Sequence, residues 1–237
     1  MKMINIMKLL LAVGIMSSFY ACEKDNYDAP ASEFKGRIVY QGEPINVEYG
    51  QVTFELWQPG FGRNGSINVT IDQDGDFSSL LFNGDYKLVF TPNQGPFYWR
   101  RNSGGTVDTI AVNISGSKTM DIEVTPYYMI RNAQITNAAK VVTATCSLEK
   151  VITDANAKNV ERVSLYINKT QFVSGNGTQY IAKTDLAAGS IANMNNISLS
   201  ATIPDIAPTQ NYVFARIGLK IAGVEDMIFS PLQKLEF

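Results

Sequence analysis

The sequence predicts an all-β protein made of two consecutive β-sandwich domains. Three observations lead there. Gly and Pro punctuate the chain throughout, apolar residues alternate at a period of two in one short run after another, and no long stretch carries helical periodicity. With 237 residues, 45% hydrophobic and 18% charged, the chain has ordinary globular composition and a length suited to one large or two small domains.

The N-terminus reads separately. Lys2 and Lys8 precede an apolar run from Leu9 to Phe19, followed by Tyr20-Ala21-Cys22. A basic flank, a short apolar region and a small residue before the cut make residues 1–21 a secretory signal. The run is too short to span a bilayer, which takes roughly 20 apolar residues. Ala21-Cys22 resembles the lipobox of bacterial lipoproteins, a resemblance that implies a diacylated Cys22 as the mature N-terminus. Residues 22–32 are acidic, polar and Pro-containing, as a solvated tether should be. An acidic run directly after such a cysteine resembles the surface-export signal of some Gram-negative outer-membrane lipoproteins. That implies an outer-membrane protein, lipid-anchored and facing the cell exterior.

From 33 to 125 the pattern is that of a first sandwich. Phe34–Val39 is strand-like and leads into the turn Gly42-Glu43-Pro44-Ile45. Val52, Phe54 and Leu56 then alternate with Thr53, Glu55 and Trp57; if the aliphatic set faces the core, Trp57 faces outward. Ile67, Val69 and Ile71 form the next strand, and Asp74-Gly75 and Asn83-Gly84 mark turns around Phe77. Tyr86, Leu88 and Phe90 alternate before Pro92–Gly105, a loop that cannot extend a central strand and is expected on a surface. Ile110, Val112 and Ile114, then Met120, Ile122 and Val124, complete roughly seven strands, enough for one sandwich. Gly36-Arg37-Ile38, Gly42-Glu43-Pro44-Ile45, Asp72-Gln73-Asp74-Gly75-Asp76-Phe77 and Asn83-Gly84-Asp85-Tyr86 together resemble the transthyretin-like, carboxypeptidase-regulatory type of domain, which implies a non-catalytic module.

Residues 126–237 read as a second sandwich. Strands are expected over Tyr127–Ile135, Val141–Leu148, Val160–Ile167 and Gln179–Ala182. Further strands follow through Ile197–Ile203, Val213–Ile221 and Met227–Phe237, the strand number and size of an immunoglobulin-like domain. Ile206-Ala207-Pro208-Thr209-Gln210-Asn211-Tyr212 resembles the tyrosine corner of fibronectin type III domains, which implies a hydroxyl-to-backbone bond from Tyr212. Whether Tyr212 and Phe214 or Val213 and Ala215 face inward stays open. Cys146, in the alternation Val142, Ala144, Cys146, Leu148, is expected to be a core residue rather than a nucleophile.

Signal, tether, the Gly95-Pro96-Phe97 loop, the Val124-Thr125-Pro126-Tyr127-Tyr128 junction and the strand Tyr212–Gly218 together resemble a two-domain, function-unassigned outer-membrane lipoprotein family. Its members are found beside SusC/SusD-like glycan-uptake systems. The resemblance implies an accessory role in polysaccharide capture, with polysaccharide and SusC/SusD-like proteins as partners, and supplies no defined site.

The chain has no histidine, which removes the commonest general base and most zinc sites. No carboxylate pair is marked for glycosidase chemistry, so neither enzymatic activity nor a cofactor is expected. Without Lys2 and Lys8 the mature chain carries 18 basic against 22 acidic residues, no basis for nucleic-acid binding. Asp72, Asp74 and Asp76 are a weak calcium candidate, set against a hairpin turn in which Asp and Gly satisfy the local backbone.

Carbohydrate contact has two candidate surfaces: Tyr98, Trp99, Arg100 and Arg101 in the aromatic loop, and Trp57 with Phe61. Flat aromatic faces suit the C–H faces of sugar rings, and Arg can donate to hydroxyls. The same aromatics could instead plug a sandwich end or pack between domains under Arg stems. The alternative to a glycan-binding accessory is a spacer or docking subunit that binds the transporter complex rather than sugar.

Overall fold

The structure, a computed structural model, describes residues 28–60 and 65–237. The signal peptide, Cys22 and Phe61 lie outside the described residues. Ala31–Phe237 forms one compact unit, and among the described residues no helix is long and apolar enough to cross a membrane. The fold is nearly all β, as the alternation predicts.

In the N-terminal half, β1 (Ser32–Tyr40) is followed by the short β2 (Glu43–Pro44) and β3 (Asn46–Val47), then β4 (Thr53–Trp57), β5 (Ser66–Thr70), β6 (Asp76–Leu81) and β7 (Gly84–Val89). The short β8 (Phe97–Tyr98) precedes β9 (Ile110–Ile114), and β10 (Lys118–Thr119), β11 (Ile122–Glu123) and β12 (Thr125–Pro126) close this half. One sheet is built on β1, antiparallel to β2 and β6 and parallel to β10 and β11. The other runs β5-β4-β7-β9. Aromatic rings close the space between them: Phe34 lies 5.2 Å from Phe77, and Phe54 meets Phe77 edge-on at 5.0 Å. Val52, Phe54 and Leu56 are fully buried, so period-two alternation sends Thr53, Glu55 and Trp57 to the opposite face of β4.

The C-terminal half contains β13 (Tyr128–Ala138), β14 (Val141–Lys150), β15 (Val160–Asn168), β16 (Ala182–Ala187), β17 (Ile197–Thr202), β18 (Tyr212–Ile221), β19 (Ile228–Phe229) and β20 (Gln233–Glu236). One sheet runs β13-β14-β17; the other runs β16-β15-β18, with β19 and β20 both on β18. Val213, Ala215, Ile217, Leu219 and Ile221 are fully buried, which settles the inward face of β18. Tyr212 takes the other face, edge-on to Phe214 at 5.8 Å and under the Lys234 ammonium at 4.4 Å. Its hydroxyl makes none of the described hydrogen bonds, so the expected corner bond is replaced by ring packing. The strand expected at 179–182 starts at Ala182, and the expected terminal strand is two short ones, interrupted at Pro231, which has no N–H to offer a ladder.

The two halves share structure. β3, from the N-terminal half, pairs antiparallel with β19, with Val47 opposite Ile228 and Asn46 opposite Phe229. The junction after β12 is bonded rather than loose: β12 pairs with β8, and the Tyr128 hydroxyl donates to the Lys158 carbonyl at 3.0 Å.

Candidate functional site

Trp57 sits at the end of β4 with its indole 39% exposed. Its Nε1–H donates to the Glu55 carboxylate at 2.8 Å, two residues back on the same face, which fixes the ring against the sheet rather than leaving it free to rotate. Register supplies the surroundings. Trp57 stands opposite Ser66 on β5 and Lys87 on β7, Glu55 opposite Asn68, and Lys87 opposite Ala111 on β9. Beside them the Asn113 amide donates to Asp85 at 2.7 Å. The result is one aromatic plate on a solvent-facing sheet, ringed by short polar and amide side chains.

The aromatic loop is organised differently. Trp99 is 9% exposed; its Nε1–H donates to the Asp108 carbonyl at 2.8 Å and its ring meets Phe90 edge-on at 4.9 Å. Phe97 packs on the same Phe90 ring, also at 4.9 Å. The Arg100 guanidinium lies 5.5 Å from the Trp99 ring centre and pairs with Asp108 at 3.0 Å. Arg101 donates to the Gly105 carbonyl at 2.8 Å, and half-buried Tyr98 is held in β8 against Thr125. Trp99 had two readings, a sugar plate on a surface loop or a ring packed under cover; the ring is buried in the core, because Phe90 and Asp108 give both its apolar body and its N–H a partner.

Gly95 shows how this loop meets the C-terminal half. Its N–H donates to the buried Asp226 carboxylate at 2.8 Å, and a Cβ there would lie 2.3 Å from the Phe97 ring. Burial pushes the Asp226 carboxyl above its ordinary value, an effect the Gly95 bond opposes.

The Asp72 and Asp76 carboxylates are taken up locally. The Asp72 carboxylate accepts the backbone N–H groups of Asp74 and Asp76, each at 2.9 Å, and Asp76 pairs with Arg37. Burial first, then the neighbouring Asp72, pushes the Asp74 carboxyl upward. Among the described residues no group of three or more His, Cys, Asp or Glu is placed to hold a metal. Cys146 is buried, and desolvation pushes its thiol up to about 11, the opposite of an activated nucleophile.

Sequence reasoning missed two features. Tyr49 and Phe172, one from each half, stand in ring contact at 4.5 Å while 41% and 37% exposed; both come from loops without strand periodicity. Arg216 is the other. It lies fully buried on β18 and donates to the carbonyls of Ser230, Val47 and Gln73 at 3.1, 3.3 and 3.1 Å, with Phe229 beneath it at 4.5 Å.

Comparison with known proteins agrees with this two-part organisation. Residues 32–125 match the profile of the DUF3823 N-terminal domain, a protein of unknown function, and residues 128–234 match the DUF3823 C-terminal domain of unknown function. A DUF3823 family protein from Bacteroides ovatus is 33% identical with a TM-score of 0.74, covering 86% of this chain and 98% of its own. One from Parabacteroides merdae is 30% identical with a TM-score of 0.75, covering 88% and 100%. One from Bacteroides uniformis, 17% identical with a TM-score of 0.70 and covering 88% and 100%, shares the fold. None of the curated proteins matches. With both of its domains matched in order over most of its length, the chain belongs to the DUF3823 family.

Proposed function

We propose that the protein is a non-catalytic surface lipoprotein that binds glycan as an accessory to a SusC/SusD-like polysaccharide-uptake system, anchored in the outer membrane through acyl chains on Cys22. The observation that carries the reading is Trp57: an exposed indole hydrogen-bonded to Glu55 on a solvent-facing sheet, with Ser66, Asn68 and Lys87 around it. The weight rests on the combination of an exposed indole with polar neighbours on one sheet face rather than on exposure alone, since single exposed apolar residues are common. Sites of this kind combine an aromatic plate with a few placed polar groups. A Bacteroides uniformis protein of the same fold, 19% identical with a TM-score of 0.66, is provisionally described as carbohydrate binding. The absence of histidine from the chain and the buried, unreactive state of Cys146 support a role without catalysis.

The test is a glycan-array and affinity-gel screen of the protein beside Trp57→Ala. Retention on at least one polysaccharide, lost in the variant with the fold intact, is the expected result. Retention unchanged in the variant, or none on any polysaccharide, would overturn the reading.

A second reading, a spacer or docking subunit of the transporter complex, is favoured by the exposed Tyr49–Phe172 pair, since aromatic anchors concentrate at interfaces. It predicts co-purification with outer-membrane proteins in the absence of glycan, weakened in Tyr49→Ala; recovery of the protein alone would count against it.

A further inference from the structure

We infer that the Trp57 platform is one end of an extended track for a neutral polysaccharide chain, and that a groove beside β6 is its second subsite. The inference rests on the reading of Trp57 as a glycan platform and adds to it a chain-length requirement and a charge class. Ser66, Asn68 and Thr70 share one face of β5, opposite Trp57, Glu55 and Thr53 in turn. At about 3.3 Å per residue this row carries the surface roughly 13 Å from Trp57 to Thr70. Thr70 also lines a groove of about 610 Å³, together with Asp72, Ser78 and Thr119, where the chain passes from β5 to β6. The plate and the groove are therefore continuous through Thr70. Several linked pyranose rings fit that length; a single one does not reach from end to end.

Charge decides the class of chain. The charged side chains lining the groove are already engaged within the protein. Lys35 pairs with Glu33 at 2.7 Å and Arg37 with Asp76. Asp121 accepts the Arg37 N–H at 3.1 Å, and Asp72 accepts two turn N–H groups. The hydroxyls of Thr70 and Thr119, by contrast, take no protein partner among the described residues. Acidic lining residues outnumber basic ones, Asp72, Asp76 and Asp121 against Lys35 and Arg37. Open hydroxyls beside compensated cations suit a polyhydroxylated neutral chain. Within the groove a uronate or sulfate group would meet carboxylates and cations that are already engaged by the protein, so its own charge would go unmatched there.

The experiment is affinity-gel electrophoresis on neutral polymers (a mannan, a starch, a xylan) and anionic ones (a homogalacturonan, a chondroitin sulfate), followed by titration calorimetry with mono- to hexasaccharides of the neutral polymer that retains the protein. Two groove variants are compared with wild type. Ser78→Arg fills the groove from an exposed strand position, and Thr119→Val removes a hydroxyl without filling it; thermal melts confirm that both fold. Expected are affinity that climbs with chain length in wild type, and roughly tenfold weaker hexasaccharide binding in Ser78→Arg, the size of one lost polar contact. Disaccharide binding should be unchanged in that variant, and Thr119→Val should lie between. If Trp57→Ala abolishes binding while both groove variants keep the full chain-length gain, the groove is refuted and the Trp57 platform stands. If the anionic polymers retain the protein better than the neutral ones, the charge class is refuted. If Trp57→Ala leaves binding intact, the platform reading fails, and with it the track.

Discussion

Arg216 of β18 donates a hydrogen bond to the backbone carbonyl of Gln73 at 3.1 Å, linking a strand of the C-terminal half to the turn that precedes β6 in the N-terminal half. Among the described residues no carboxylate is in salt-bridge contact with this guanidinium, although Asp74 and Glu48 act on it from further away. Its charge is instead spread over three carbonyls and the face of Phe229, and burial lowers its pKa to about 10, still charged at neutral pH. The planar fork of Arg presents up to five N–H donors in a fixed geometry that spans acceptors set apart from one another, whereas a lysine ammonium gathers its three donors at one point.

Arg216→Met should therefore destabilise rather than relieve the protein. Replacing a buried ion pair by apolar residues can be neutral when both charges leave together, but here Met would strand carbonyl oxygens on both halves. Hydrogen bonds to a charged group are worth roughly 1.5–3 kcal/mol each, and the desolvation relieved when the buried charge leaves offsets part of the three lost, so a net loss of about 3–4 kcal/mol and a Tm lower by on the order of 10 °C are expected. Arg216→Lys should recover only part of it. A melt of Arg216→Met that overlays wild type would show that the guanidinium does not tie the halves together.

The Asp226 carboxyl predicts a pH dependence. Burial raises its pKa, nearby Glu225 and Glu48 add to the shift, and the Gly95 N–H and Lys220 oppose it. A carboxyl whose folded-state pKa exceeds its unfolded one favours folding most when neutral. That contribution is complete below the unfolded value and disappears as pH rises through the folded one. Asp226→Asn keeps an oxygen for Gly95 and does not ionise. The variant should match wild type near pH 4 and melt at a higher temperature than wild type at pH 7. An equal difference at both pH values would assign the effect to packing instead.

Cys146 should be chemically silent in the folded protein. With its thiol pushed up to about 11, about one molecule in a thousand carries the thiolate at pH 8, and burial screens even that fraction. Thiol titration with an aromatic disulfide at pH 8 should read no reaction over minutes in buffer and full reaction in guanidinium. Rapid labelling of the native protein would mean that β14 opens far more readily than its packing implies.

What could be read from the sequence, and what could not, divides by range. The inward set of β4 and the outward Trp57 follow from alternation alone, because neighbouring side chains on a strand must take opposite faces. For Trp99 both readings were visible and the choice between them was not. An aromatic-and-arginine loop looks the same locally whether or not Phe90 and Asp108 fold over to cover it. Arg216 reads as a solvent-facing break in an apolar strand until Val47 and Gln73, more than a hundred positions earlier, arrive to cover that face. Of the segments that carry the family likeness, the Gly95 loop acts at this same boundary and the Gly218 strand inside the C-terminal half. Gly95 holds Asp226, and Gly218 leaves room that a Cβ would take from Phe229, Met227 and Tyr166, all within 2.9 Å of it. Their spelling was visible in the sequence; what they hold together was not.

The two tryptophans should separate binding from stability. Trp99 is packed on Phe90 and hydrogen-bonded to Asp108, so Trp99→Ala opens a cavity and strands a carbonyl, a loss of about 3–5 kcal/mol. Trp57 gives up one exposed bond to Glu55, and Trp57→Ala should cost no more than about 0.5–1 kcal/mol. Thermal melts of both, read beside polysaccharide retention at a temperature where each is folded, make the comparison. Trp57→Ala is expected to keep its Tm and lose retention. Trp99→Ala is expected to lose Tm and, while folded, to keep retention, since its ring never reached the surface. If Trp99→Ala lost retention at full stability, the aromatic loop would be the binding surface and the β4 face would not.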